Sequence, residues 1–264
     1  MKKLSNQKDY QYIITETSGK IGKIILNRPE VLNALKRPMV TEIVTAMEKF
    51  QEDDDVHVIM LAAKGRAFAA GADIKEMMDD DPVYLEKIDQ FSWWDRMALI
   101  KKPIVAAVQG YAVGGGFELV LSCDIVFAAE GTKFGFPEVN LGVMPGAGGT
   151  VKLTKALGPQ RALEWLWTGE YFDAETAYVY GLINRVLPEA VLHEETEAFA
   201  GKLAQQPQMS LRLIKDTVRK AVDLPVYEAM QYERKNFYLL FATEDQKEGM
   251  RAFAEKRKPS FKGR

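Results

Sequence analysis

The feature that most restricts the fold of this chain is a series of short, almost uncharged apolar runs. Three such runs occupy residues 56–63, 103–108 and 124–129, and loops rich in alanine and glycine follow the first two. Continuous apolar runs of this length are typical of strands buried on both faces, as in parallel sheets whose strands are joined by helices. We therefore predict a mixed α/β core that binds its ligand in loops at the strand ends.

The same patterns divide the chain into a core and a helical end. Further predicted strands are 10–17, 22–26 and 182–187. The predicted helices are 38–50, 83–99, 117–122, 191–204, 211–222, 225–241 and 243–256. Strands become scarce after residue 148, so we expect residues 1–195 to form the α/β core and residues 196–264 to form a helical appendage.

The helix near residues 237–241 is apolar on several sides, since its sequence there is Phe-Tyr-Leu-Leu-Phe. A helix that is apolar nearly all round needs burial on more than one face. We favour burial of this helix in the core of the chain. A subunit interface is the alternative.

Composition excludes several classes of protein. The chain has 264 residues and a net charge of −2, so no strong basic field is present to attract nucleic acid or an anionic membrane surface. No apolar run approaches the roughly 20 residues of a membrane-spanning helix. Residues 1–14 contain no apolar stretch of the kind found in signal peptides, and the single cysteine rules out an intramolecular disulfide. We expect a cytoplasmic protein.

The chain lacks the residue patterns of several common catalytic mechanisms. The two histidines, His57 and His193, are far apart in sequence, and no zinc-binding spacing is present, so we predict no metal site. Cys123 precedes an apolar strand and is predicted to be a buried structural thiol. Neither a GxSxG elbow nor a GxxxxGK[ST] phosphate loop occurs. Carboxylates, backbone amides and glycines remain.

Two glycine-containing segments are candidates for holding a ligand through the backbone. In the segment 66–75, Asp73 suits the N-terminus of a short helix, which would leave N–H groups near Ala72 unpaired and able to bind an anion. In the segment 109–118, three consecutive glycines precede a helix whose first turn contains Glu118. Each segment alone is also explained by an ordinary turn. The position of Glu118 is also explained by the helix dipole, which stabilises a carboxylate in the first turn.

A third segment, 134–142, places Glu138 after a proline on a turn between apolar residues. Alone it is a weak signal, because most glutamates on turns are simply solvated. Together, however, the three segments supply two donor loops and two carboxylates, each close to glycine. This is the equipment needed to stabilise an enolate while protons are moved.

These segments resemble the crotonase superfamily, and within it the enoyl-CoA hydratases. The matching stretches are AFAAGADIKEM at 67–77, KKPIVAAVQGYAVGGGFELVLSCDI at 101–125, FGFPEVNLGVMPGAGGT at 134–150, WTGE at 167–170, AYVYGLINRVLP at 177–188 and the C-terminal 24 residues from 241 to 264. The resemblance covers nearly the whole chain. It implies an α/β fold, a crotonase-like spiral of ββα units with a helical C-terminal trimerisation region, assembled as a homotrimer or a dimer of trimers.

The resemblance also implies roles for individual residues. The amides of Ala72 and Gly115 would form an oxyanion hole for a thioester oxygen, and Glu118 and Glu138 would be the two catalytic acids. The other residues implied to lie along the CoA path are Arg66, Ala70, Asp73, Ile74, Lys75 and Lys256. Coenzyme A is part of the substrate, so no separate cofactor is implied.

The implied activity is reversible syn addition of water to a trans-2-enoyl-CoA to give a 3-hydroxyacyl-CoA. An isomerase that shifts the double bond with one glutamate is the alternative within the family. A non-catalytic RNA-binding member is disfavoured, although Lys215, Arg219 and Lys220 share one predicted helix. Phe117 and Phe136 are bulkier than many hydratases carry there and are expected to reshape the acyl pocket. Acyl length, pathway and the division of protons between the glutamates stay open.

Overall fold

A six-stranded sheet organises the fold in a computed structural model that describes residues 10–264. The expectation that the chain begins without a signal peptide concerns residues that lie partly outside this range. In spatial order the strands are β1 (Ile13–Ser18), β2 (Ile21–Leu26), β3 (Val58–Ala63), β4 (Ile104–Val108), β6 (Ile125–Ala129) and β9 (Arg185–Leu187). Strands β1 and β2 are antiparallel, and all other neighbours in this sheet are parallel.

The central strands are buried on both faces, as their sequences require. Every residue of β3 and β4 is buried. On one face, Ile59 and Leu61 pack in the same cluster as Met39 and Ile43 of helix α1 (Arg37–Glu52). On the other face, Val58 packs with residues of helix α9 (Glu189–Ala204). Because side chains alternate along a strand, one apolar run fills two separate cores.

The predicted domain boundary at residue 195 falls inside α9. This helix covers one face of the sheet through buried residues that include Leu192 and Ala200. A helix that packs along its length on the core sheet belongs with the core, so the helices that follow the core begin with α10 (Gln208–Ala221). Whether those helices serve oligomerisation stays a prediction.

A smaller three-stranded sheet lies beside the main one. It contains β5 (Tyr111–Val113), β7 (Lys133–Gly135) and β8 (Phe172–Asp173), with β5 and β7 parallel and β8 antiparallel to β7. These strands are not among those predicted from the sequence, because each has only two or three residues and two of them border glycine-rich loops. They position the segments on either side of the candidate site.

The remaining helices follow in chain order. They are α2 (Ile74–Met77), α3 (Pro82–Ile88), α4 (Ser92–Ala98), α5 (Gly115–Val120), α6 (Gly149–Leu157), α7 (Pro159–Thr168), α8 (Ala174–Val179), α10 (Gln208–Ala221), α11 (Val226–Leu240) and α12 (Glu244–Ala254). Short 3-10 helices occupy Pro29–Val31 and Pro137–Leu141.

The single helix predicted at 83–99 is wrong, since the chain forms α3 and α4 instead. The break occurs at Asp89, which adopts left-handed backbone angles with φ of 44°. Aspartate tolerates this conformation better than most residues, so the helix can end there. The Asp81 side chain caps the start of α3 by accepting hydrogen bonds from the amides of Val83 and Tyr84.

The favoured prediction for residues 237–241 is also wrong. Phe237, Tyr238 and Leu239 are 54%, 67% and 59% exposed in the single chain, so they do not belong to its core. The alternative, an interface with another chain, remains. Within residues 10–264, no helix is both long and apolar enough to cross a membrane.

Candidate active site

A cavity of about 840 Å³ opens between the loops at the ends of the strands and helices α2 to α4. Three segments line its inner part: the loop after β3, the turn that leads into α5, and the stretch that contains Glu138. The four residues expected to carry the chemistry, Ala72, Gly115, Glu118 and Glu138, all line this one cavity. The sequence prediction that these positions meet is therefore matched by the fold.

Glu118 lies in the first turn of α5 and is only 4% exposed. Its Oε1 accepts hydrogen bonds from the amides of Ala147, at 2.7 Å, and Gly149, at 2.8 Å. Burial raises the pKa of this carboxyl group, while the two amides and the charge of Lys152 act in the opposite direction. The carboxylate is thus fixed in one orientation with its second oxygen, Oε2, left for a ligand.

Two glycines make this placement of Glu118 possible. A β-carbon on Gly116 would lie 2.1 Å from the carbonyl oxygen of Ala69, so α5 approaches the loop after β3 as closely as backbone allows. A β-carbon on Gly149 would lie 2.6 Å from Phe136 and 3.0 Å from Cγ of Glu118. Larger residues at either position would displace the carboxylate or its donor.

Glu138 lies in the 3-10 helix Pro137–Leu141, across the cavity from α5. Burial, with a smaller contribution from the charge of Glu118, raises its pKa to about 7. Among the described residues, its Oε2 is buried and has no hydrogen-bond partner. A carboxyl group with this pKa is protonated in a large fraction of molecules near neutral pH, so it can donate a proton.

The amides of Ala72 and Gly115 are adjacent and unpaired. A β-carbon on Gly115 would lie 3.6 Å from the amide nitrogen of Ala72, and one on Gly71 would lie 3.9 Å from that of Gly115. Neither amide donates a hydrogen bond to any atom of residues 10–264, although the flanking amide of Asp73 donates to Leu35. Gly115 is also the first residue of α5, so its N–H has no partner within the helix. Two free donors at one wall of a cavity have the arrangement that an oxyanion hole requires.

The other predicted CoA-path residues divide into two groups. Ala70 and Ile74 line the cavity, whereas Arg66, Lys75 and Lys256 do not. The side chain of Asp73 points away and pairs with Arg28 at 3.2 Å, so it is engaged within the protein. The roles given to these four polar residues stay predictions.

Sequence reasoning missed the residues that support the loop after β3. Asn33 accepts a hydrogen bond from the amide of Arg28 at 2.7 Å and donates to the carbonyl oxygens of Lys64 and Ala67, at 2.9 and 2.8 Å. Asn33 is fully buried, and its backbone adopts the left-handed conformation with φ of 54°. The sequence gives no strong signal for this asparagine, because the two carbonyl oxygens that it binds lie 31 and 34 residues away.

The expected effect of Phe117 and Phe136 on the acyl pocket is wrong. Neither residue lines the cavity. Their rings lie 4.9 Å apart in a buried aromatic cluster behind α5, which also contains Phe134 and Phe172. The apolar wall of the cavity comes instead from α3, α4 and the residues between them, including Tyr84, Phe91, Trp93 and Trp94.

The residues excluded from chemistry lie away from the cavity. His57 Nδ1 hydrogen-bonds with the carbonyl oxygen of Ala204 at 2.8 Å, and neither His57 nor His193 lines the cavity. Burial raises the pKa of the Cys123 thiol to about 12, so it is not a nucleophile at neutral pH. Residues 10–264 contain no cluster of three or more histidine, cysteine or acidic side chains suited to a metal ion.

Two unpaired backbone amides and two carboxyl groups in one cavity are the groups that an enzyme of acyl-thioester chemistry requires. Comparison with known proteins agrees with this class. A family model described as enoyl-CoA hydratase/isomerase matches residues 16–264. The chain belongs to the enoyl-CoA hydratase/isomerase family.

Individual relatives are similar over nearly their whole length. A probable enoyl-CoA hydratase from Rhizobium meliloti is 44% identical over 255 residues, which cover 97% of this chain and 99% of the relative. A 2,3-dehydroadipyl-CoA hydratase from Escherichia coli is 37% identical over 252 residues, which cover 96% and 99%. A crystal structure of enoyl-CoA hydratase subunit I from Geobacillus kaustophilus has a TM-score of 0.95 and 60% identity, covering 97% of this chain and 99% of that one.

Proposed function

We propose that this protein is an enoyl-CoA hydratase that adds water reversibly to the double bond of a trans-2-enoyl-CoA. The observation that carries the proposal is the meeting of two unpaired amides and two differently held glutamates in one cavity. Relatives that share at least 42% of their residues over nearly the whole chain are named as hydratases, which supports the same activity.

The amides of Ala72 and Gly115 polarise the substrate. The thioester oxygen accepts a hydrogen bond from each, which draws electron density from the double bond and makes Cβ electrophilic. As the oxygen gains charge in the transition state, these fixed donors stabilise it without reorganisation. A single donor of this kind is typically worth about 10²–10³ in rate.

The two glutamates move the protons. Glu118, held by two amides, suits the base: it takes a proton from water as the water oxygen forms its bond to Cβ. Glu138, with its raised pKa, suits the acid: it gives its proton to Cα as the enolate electrons close that C–H bond. The product gains one hydroxyl and one hydrogen, and exchange of one proton from Glu118 back to Glu138 through solvent resets the enzyme.

Assembly, cofactor use and location follow as proposals. The exposed apolar side chains of α11, among them Phe237 and Leu239, support association of chains into the trimer or dimer of trimers expected from the sequence. The proposed mechanism uses no cofactor, because the two backbone amides polarise the CoA thioester of the substrate. A cytoplasmic location stays a prediction.

The test is the hydration of crotonyl-CoA, followed as loss of the enoyl absorbance, by the variants Glu118→Gln and Glu138→Gln. Each should lose about 10²–10⁴ in kcat, the usual contribution of one acid or base. The control is Glu130→Gln, which changes an exposed glutamate outside the cavity and should keep wild-type activity. Near wild-type hydration by both site variants would overturn the proposal.

The isomerase alternative is tested with the same proteins. Incubation with a 3-enoyl-CoA that yields only the 2-enoyl isomer, without a hydrated product, would favour isomerisation over hydration. The RNA-binding alternative is weakened by two ion pairs, since Lys215 and Arg219 bind Asp124 at 2.6 and 3.0 Å. A salt-dependent gel shift tests it directly.

A further inference from the structure

The cavity extends beyond Glu118 toward a wall of large apolar side chains. The loop that binds Glu118 leads to this wall, because Gly146 precedes the donor Ala147 and packs directly under Phe91. A β-carbon on Gly146 would lie 2.5 Å from the Phe91 ring. Trp93, Trp94, Leu85 and Ile88 line the same side. The acyl carbons beyond Cβ, which extend away from the oxyanion hole past Glu118, therefore enter apolar surroundings.

One cation lies at this end of the cavity. Arg37, the first residue of α1, lines the cavity, and its Nε donates to Oε1 of Gln90 at 2.8 Å, one residue before Phe91. Its guanidinium carbon lies 5.8 Å from the centre of the Tyr84 ring. A guanidinium beside an acyl pocket would normally favour a substrate with a negatively charged end.

Asp80, which lies outside the cavity, neutralises the charge of Arg37. The guanidinium Nη2 forms an ion pair with Oδ2 of Asp80, which does not itself line the cavity. Glu76 does line it, and its carboxylate accepts a hydrogen bond from the amide of Arg37 at 2.8 Å. Together Arg37, Asp80 and Glu76 carry a formal charge of −1, so this group of side chains repels a carboxylate at the end of the acyl chain.

We propose that Arg37, masked by Asp80, makes the distal end of the cavity a selectivity filter that accepts uncharged acyl chains and excludes those ending in a carboxylate. The proposal rests on the proposed hydratase function and names the substrate class of the same site. Asp80 acts through Arg37 and is a positioning residue.

The test compares two substrates with the same number of carbon atoms, 2-hexenoyl-CoA and 2,3-dehydroadipyl-CoA, which differ in a terminal carboxylate. The wild-type protein should favour hexenoyl-CoA in kcat/KM by roughly 10- to 100-fold. This factor corresponds to the typical free energy of one hydrogen bond to a charged group, which the terminal carboxylate cannot form here. Asp80→Asn keeps the side-chain size but frees the charge of Arg37, so this preference should shrink by about tenfold or more.

A control and a second readout keep the outcome interpretable. Glu197→Gln breaks a comparable ion pair, Lys23 with Glu197 at 2.6 Å, on the far side of the main sheet and should leave the preference unchanged. Calorimetric binding of the saturated thioesters hexanoyl-CoA and adipyl-CoA measures the same preference without catalysis. Failure to hydrate any enoyl-CoA would sink the hydratase proposal alone.

The filter itself has separate outcomes. Equal binding of hexanoyl-CoA and adipyl-CoA by the wild-type protein would overturn it. So would a preference that stays the same in Asp80→Asn. The double variant Arg37→Gln/Asp80→Asn removes the freed cation, so it should lose the gain in adipyl-CoA binding that Asp80→Asn alone produces. A gain that persists in the double variant would also contradict the assignment to Arg37.

Discussion

Glu138 lies against the backbone of Gly114, so that a β-carbon on Gly114 would be 3.1 Å from Oε1 of the carboxyl group. Gly114 also has φ of 53° and ψ of −129°, angles that residues with a side chain rarely adopt. One glycine therefore sets both the approach of the acid and the direction of the following amide, that of Gly115.

Gly114→Ala should damage activity more than stability. The strained backbone costs about 1–3 kcal/mol of folding free energy, while displacement of Glu138 and of the Gly115 amide should lower kcat by about 10²–10³. Gly19→Ala is the matched control, because Gly19 has φ of 57° and no atom within 4 Å of its β-carbon position. Urea unfolding and crotonyl-CoA hydration measure both effects. Wild-type kcat in a folded Gly114→Ala protein would contradict this role of Gly114.

The pH dependence of hydration should report the two glutamates as a coupled pair. In the proposed mechanism, the active form has Glu118 ionised and Glu138 protonated. As the pH rises through about 7, Glu138 loses its proton and kcat/KM should fall. As the pH falls, Glu118 becomes protonated at a pH above its ordinary value of 4.5, and kcat/KM should fall again. An alkaline limb that stays in place in Glu138→Gln would show that another group produces it.

Glu138 should also make the stability of the protein depend on pH. Its pKa is about 7 in the folded state, against an ordinary value of 4.5, so the native state binds the extra proton between these pH values. The free energy of unfolding should therefore fall as the pH rises through this window. Glu138→Gln lacks this loss, and at pH 8 it should gain about 1–2 kcal/mol relative to wild type, an amount reduced by partial solvent exposure.

Urea unfolding at pH 4 and pH 8 measures this difference. The gain should be absent at pH 4, where Glu138 is protonated in the folded protein. The exposed variant Glu130→Gln should show no comparable change with pH. An equal effect of Glu138→Gln at both pH values would mean that packing, rather than ionisation, explains it.

The charge of Lys152 should stabilise the ionised form of Glu118, the proposed base. Its Nζ donates to Oγ of Ser122 at 2.7 Å, and that hydroxyl donates to the carbonyl oxygen of Glu118 at 2.7 Å. The lysine charge opposes the effect of burial on the pKa of Glu118. Lys152→Met should therefore raise that pKa and move the acid limb of kcat/KM to higher pH.

Lys155→Met provides the control for this prediction. Lys155 lies one turn further along α6, where it pairs with Asp223 at the surface. Its removal should leave the acid limb unchanged. If Lys152→Met lowers kcat without moving that limb, then Lys152 serves packing only.

The sequence could predict the parts of the fold that depend on local pattern. The uncharged runs of β3 and β4 are buried throughout, and Glu118 follows the glycines that begin α5, as expected. Burial and periodicity are properties of neighbouring residues, so they can be read along the chain.

The missed features depend on contacts between distant segments. The donors to Glu118 come from Ala147 and Gly149, which are 29 and 31 residues away. Phe117 is next to Glu118 in sequence but points into the aromatic cluster behind α5, because successive helical residues face different directions. The exposure of Phe237 follows from what α11 packs against, which its own apolar pattern does not specify.

The unpaired amides of Ala72 and Gly115 have a consequence for how such a protein can evolve. The groups proposed to hold the oxygen charge are peptide N–H groups, which every residue except proline supplies, so most side-chain substitutions leave them in place. Glu118 and Glu138, in contrast, can each be lost by one codon change. New reactions of CoA thioesters can therefore arise on this scaffold by exchanging acids around an inherited polarising centre, without rebuilding the centre itself.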